Sequence, residues 1–157
     1  MISLERKIPM ILTGRIDEKN QLWVSMTVGG LHSKQTIEAL IDTGFNGELL
    51  LPLQIAIPLG LQLAGAAPYR LADGSISQQM LFTANIGWGT TSRTATVNVV
   101  NSDTALIGGG LLHGYILLVD FQKKQLVIKE PGVDEPSPSQ PPSKKSKSST
   151  LKKKGGK

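Results

Sequence analysis

Along most of the first 130 positions, apolar residues either alternate with polar ones or gather in short blocks. Residues 10–16 and 21–28 are apolar-rich and flank the polar stretch Asp17-Glu18-Lys19-Asn20, a pattern that predicts a β-hairpin. Gly29-Gly30 breaks the second run, and residues 34–41 read as a third strand. Residues 52–63 carry two prolines among Leu, Ile and Ala, which fits a short helix or an irregular turn. Asp73-Gly74, within residues 71–77, favours the positive φ angles that hairpin turns need. Strands are predicted at 79–87 and 91–101 around a Trp88-Gly89 turn, and at 115–121 and 125–129 around Gln122-Lys123-Lys124. Helix-period patterning is scarce. The expected fold is all-β, a small closed barrel with one short helix, and a body of about 130 residues can bury a workable core.

Charge divides the chain of 157 residues in two. Residues 1–130 contain 10 Lys+Arg and 10 Asp+Glu, so the body is neutral. Residues 131–157 contain 7 Lys and 2 acids, and they account for the whole net charge of +5. This Pro-, Ser- and Lys-rich stretch lacks aromatic residues and has almost nothing apolar to bury, so it reads as a disordered tail. It serves either as a solubilising appendage or as an electrostatic tether to nucleic acid or an anionic surface. A nucleic-acid-binding fold would carry its basic residues on the folded surface, and the neutral body argues against one. The absence of cysteine excludes disulfides and Cys-ligated metals. His32 and His113 have no partner at metal-ligand spacing, and neither a metal nor an organic cofactor is expected. No apolar run reaches membrane-spanning length and no signal-peptide pattern opens the chain, so a cytoplasmic location is the expectation.

The candidate chemistry lies at Asp42-Thr43-Gly44, which ends the run Ile37-Glu38-Ala39-Leu40-Ile41. A carboxylate set between an apolar strand and a glycine turn costs free energy to bury unless its charge is accepted or its proton shared. It reads structurally as an Asx-type turn closing a strand. It reads functionally as half of a carboxyl pair that activates water, because one proton stays on two adjacent carboxylates and the pair can act as both base and acid. A second apolar run, Leu49-Leu50-Leu51, leaves the turn within a few residues, unlike an ordinary surface hairpin. Downstream, Leu106-Ile107-Gly108-Gly109-Gly110-Leu111-Leu112 reads as a buried strand, a glycine turn and a short helical turn. Asp103 and Asp120 fall in polar turn settings, as does His113, and all three are read as turn residues.

Together, Ile-Asp-Thr-Gly and Leu-Ile-Gly-x-x-Leu-Leu resemble the retropepsin-like aspartic proteases, in particular the small prokaryotic type with Asp-Thr-Gly-Phe. The resemblance covers residues 10–129. It implies an aspartic endopeptidase with one lobe per chain and Asp42 as the catalytic residue. The chain carries one Asp-Thr-Gly, so the second Asp must come from a second copy in a C2 homodimer. The resemblance further implies that the Thr43 hydroxyl bonds across the dimer, that Gly44 tightens the loop, and that Leu106, Ile107 and Gly108 pack beneath it. The hairpin at Asp73-Gly74 takes the position of a flap closing over a peptide substrate. Phe45 replaces a small residue and makes the pocket wall bulkier. Asn46 and Gly109 stand where an Asp and an Arg often pair, and both partners are absent together. Two other functions share this sequence: a non-catalytic peptide-binding module of the same fold, and a scaffold for the basic tail.

Overall fold

The hairpin expected over residues 10–28 is present in the computed structural model, which describes residues 7–134. Most of the stretch read as a disordered tail lies outside the described residues. The hairpin consists of β1 (Ile11–Ile16) and β2 (Leu22–Gly29). Asp17 closes its turn by accepting hydrogen bonds from the Lys19 and Gln21 N–H groups at 2.9 and 2.8 Å, and from Trp23 Nε1 at 2.8 Å. Next come β3 (Lys34–Ile41), β4 (Leu49–Pro52), α1 (Leu53–Leu59), β5 (Gln62–Arg70), β6 (Ile76–Trp88) and β7 (Thr91–Val100). The chain continues through β8 (Ala105–Ile107), α2 (Gly109–Leu112), β9 (Ile116–Asp120) and β10 (Gln125–Lys129).

Strands lie in the order β5-β6-β7-β4-β8-β3-β2-β1-β10-β9, and a further pairing joins β6 to β2. That pairing, Thr27 with Gly87 and Gly29 with Asn85, closes six strands from β6 round to β2 into a barrel. The fold is therefore all-β and closed, as expected. Residues 109–112 form the short helical turn read there, a second helix beside the one expected, held by fully buried Leu111. Residues 62–70, not read as a strand, form β5, the outer half of a long ribbon with β6. A register shift between Leu63 and Gly65 kinks that ribbon, with Gly65 at φ 155.

Alternation sets the core. Val24, Met26 and Val28 of β2 point inward, as do Ile37, Ala39 and Ile41 of β3 and Leu49 and Leu51 of β4. Ala95 and Val97 of β7 join them with Ala105 and Ile107 of β8. Full burial of one such Leu or Ile contributes about 1.5–3 kcal/mol. Trp88, completely buried, meets the edge of Tyr115 with ring centroids 5.9 Å apart. Helix α1 buries Ala56 and Leu59 and stops at Gly60, whose φ of 66 suits a left-handed cap. No helix among the described residues is long and apolar enough to cross a membrane.

Candidate active site

Asp42 follows the last residue of β3, where the strand leaves the barrel. Its N–H donates to the Ile107 carbonyl at 2.9 Å, which continues the parallel β3–β8 ladder by one step. The same β8 pairs antiparallel with β4 on its other side. The loop of residues 42–48 thus connects two strands that β8 separates, and the loop must pass over the end of β8. Four backbone hydrogen bonds fasten it there, and a fifth, from the Phe45 N–H to the Asp42 carbonyl at 3.1 Å, closes the loop on itself. Besides the Asp42 bond, the Gly109 N–H donates to the Phe45 carbonyl at 2.7 Å. The Gly108 N–H reaches the Glu48 carbonyl at 3.0 Å and the Gly110 N–H the Gly47 carbonyl at 3.1 Å. A carboxylate on such a loop holds its position without cost at the moment of reaction, which is the preorganisation catalysis needs.

Asp42 is half-buried as a residue, and its carboxylate accepts one hydrogen bond, from the Gly44 N–H to Oδ1 at 3.0 Å. This is the Asx-type turn expected from the sequence. The remaining lone pairs have no protein partner among the described residues. Thr43 and Gly44 are exposed, and Phe45 is half-buried. The Phe45 ring folds back over the loop, within contact of Gly47 and Gly108. Ile107 is fully buried beneath the loop, and Gly108 meets it directly. Leu106 points the other way and is half-buried outside the core.

Asn46 is exposed, and Gly109 bonds to the loop through its backbone alone. An ion pair that the sequence reading passed over lies nearby. Arg93 Nη2 donates to Glu48 Oε1, and the Thr96 N–H donates to Glu48 Oε2 at 2.6 Å. Glu48 thereby ties the far end of the loop to β7. The one signal in the sequence was an acid at the mouth of the Leu49-Leu50-Leu51 run, and its partners lie more than forty residues on. The Glu48→Ala variant leaves the guanidinium and the Thr96 N–H without this acceptor. Its expected cost is about 1–3 kcal/mol, near the lower end because the Arg93 side chain is 35% exposed. Urea denaturation of Glu48→Ala, Arg93→Ala and the double variant measures it. A coupling near zero would remove Glu48 from the loop's support.

The Asp73-Gly74 turn forms the tip of the β5–β6 ribbon, with Gly74 at φ 84. Asp73 is exposed and binds locally. Its Oδ1 accepts from Ser75 Oγ at 2.6 Å and from the Ser75 N–H at 2.9 Å. These bonds hold its carboxyl below the usual carboxylate range, the Ser75 hydroxyl contributing most. Asp73 is therefore an ionised turn former. Asp120 accepts the Lys123 N–H at 2.9 Å in the β9–β10 turn, while Asp103 and His113 are exposed. Among the described residues, no group of three or more His, Cys, Asp or Glu is placed to hold a metal ion.

No protein-family model matches the sequence, and no curated protein does. Among solved structures, a retropepsin-like aspartic protease from Rickettsia conorii is similar to this chain, with a TM-score of 0.55 and 16% identity. The match covers 78% of this chain and 91% of that one. A likeness at that identity speaks for the fold: the chain is an all-β, closed barrel of the retropepsin-like kind.

Proposed function

We propose that this protein is an aspartic endopeptidase in which Asp42 of one copy and Asp42 of a second copy form the water-activating pair across a homodimer. The observation that carries the proposal is the setting of Asp42. Asp42 is a half-buried residue whose carboxylate takes a single hydrogen bond, on a loop fastened by four backbone hydrogen bonds over the end of a buried strand. Two such carboxyl groups brought a few ångströms apart cannot both ionise readily, so one proton remains on the pair. The ionised member takes a proton from water as it attacks the peptide carbonyl. The protonated member gives its proton to the carbonyl oxygen. As the tetrahedral gem-diol collapses, the member that took the proton from water passes it to the leaving amine, and the other regains its proton from a gem-diol hydroxyl. The exposed Thr43 is free to bond to the partner's loop, and the β5–β6 ribbon acts as the flap that excludes water.

A dimer is the first requirement. The expected result is a molar mass for the full chain that rises from monomer to dimer with concentration, read by sedimentation or light scattering. A strict monomer at every concentration would leave each Asp42 without its counterpart. The preferred reading would then be a peptide-binding module of the same fold, which is favoured by the single Asp-Thr-Gly in each copy.

A further inference from the structure

Strand register places five residues in one row across the barrel. Leu81 of β6 pairs with Asn98 of β7, and Asn98 with Leu50 of β4. Leu50 pairs with Leu106 of β8, and Leu106 with Leu40 of β3. Directly paired residues share a face of the sheet. Their chain neighbours Ile41, Leu49, Val97 and Ile107 all point into the core, so this row faces outward. All five are half-buried, and none belongs to the core cluster. Asp42 lies two residues beyond Leu40, on the same face. Asn98 also touches the catalytic loop: a Cβ built on Gly47 would stand 3.1 Å from its Oδ1.

Four members of the row are leucine and one is an amide. The Asn98 side chain makes no hydrogen bond among the described residues. Asn85, by contrast, accepts from Thr94 Oγ1 at 3.2 Å. Neither atom of this half-buried amide is sealed from solvent, so its donors and acceptor stand open between leucines to a ligand's polar group. A ligand that offers a donor and an acceptor together takes the place of solvent water there.

We propose that Asn98 is a specificity-determining residue, whose amide reads the polar end of a substrate side chain with its stem between Leu50 and Leu81. This rests on the protease reading above. The side chain selected is Gln or Asn. An amide offers a donor and an acceptor together and so satisfies both functions of Asn98 at once. A charged end would be desolvated against apolar walls without a counter-charge.

The test uses the full chain and a peptide library in which each position around the cut is varied in turn. Wild type is expected to prefer Gln or Asn over Leu at one position by at least about tenfold in kcat/KM. Asn98→Leu, close in volume and joining an apolar row, is expected to reverse that preference and leave the other positions as they were. Asn98→Asp is expected to move the preference to Lys and Arg, a change that a merely structural role would not produce. Melting curves check that both variants fold. A preference that is the same in wild type and both variants overturns the proposal, even where cleavage depends on Asp42.

Selection of bound peptides by the Asp42→Asn chain, with and without Asn98→Leu, separates the two readings. Amide-selective binding that Asn98→Leu removes supports the role of Asn98 even if wild type cuts nothing, in which case only the protease reading fails. Binding with no amide preference, or no binding at all, overturns the role of Asn98.

Discussion

Asp42→Asn is expected to lower kcat/KM for every cleaved peptide by at least about a thousandfold while leaving the fold and its melting temperature essentially unchanged. The asymmetry follows from the geometry of the turn. The structural duty of Asp42 is to accept the Gly44 N–H through Oδ1 at 3.0 Å, and an asparagine carbonyl oxygen accepts the same bond. What asparagine cannot do is hold negative charge or pass a proton. Mixing wild type with this variant sharpens the test. If each site needs one carboxylate from each chain, an equal mixture leaves about one quarter of the dimers with both, so activity falls faster than the wild-type fraction. Activity proportional to the wild-type fraction would mean that each chain works alone, and the shared dyad would be abandoned. Turnover retained by pure Asp42→Asn would remove the protease assignment itself.

Asp42 was legible in the sequence because its signals are local. An apolar strand runs into it, a glycine follows it, and a second apolar run leaves within seven residues. The β1–β2 and β9–β10 hairpins were legible for the same reason: alternation and turn residues sit side by side. Strand β5 was not, because Gln62–Arg70 is built of Ala, Gly and Pro with little β-branched content, and its pairing with β6 overrides that weak propensity. The closed barrel was expected, but the pairings that close it were out of reach. The parallel pairings β3–β8 and β4–β7 and the β2–β6 contact join segments far apart in sequence, and periodicity carries no information about which strands meet.

The two residues most informative beyond Asp42 share that difficulty. Glu48 is read only once Arg93 and Thr96 of β7 are placed beside it. Asn98 sits in Val97-Asn98-Val99, where alternation alone makes it an ordinary outward polar residue. Only the register, which sets it between Leu50 and Leu81, shows that its surroundings are apolar. Chemistry confined to one loop can be found by reading along the chain. Chemistry shared between strands waits for the register.

Gly108→Ala is expected to destabilise the protein by about 2–4 kcal/mol and to displace the Asp42 loop. Backbone strain is not the cause. At φ −98 and ψ 175, Gly108 has an extended conformation that alanine adopts freely. The cause is the space a methyl group would need. A Cβ there would lie 2.2 Å from the Gly47 carbonyl oxygen and 2.5 Å from that of Phe45. Neither oxygen can rotate away, because the Gly110 and Gly109 N–H groups hold them. Relief requires the whole loop to lift from β8, which breaks those bonds and moves the carboxylate.

Gly109→Ala provides the control: its nearest neighbour would be the Phe45 carbonyl oxygen at 3.7 Å, an ordinary contact. Adjacent glycines should therefore differ sharply. Thermal and urea denaturation of the two variants are expected to show a fall in melting temperature on the order of 10 °C for Gly108→Ala and little change for Gly109→Ala. Equal melting temperatures would mean that the loop yields at small cost. The rigidity assigned to the Asp42 setting would then be lost, and with it the physical basis for preorganised catalysis at that carboxylate.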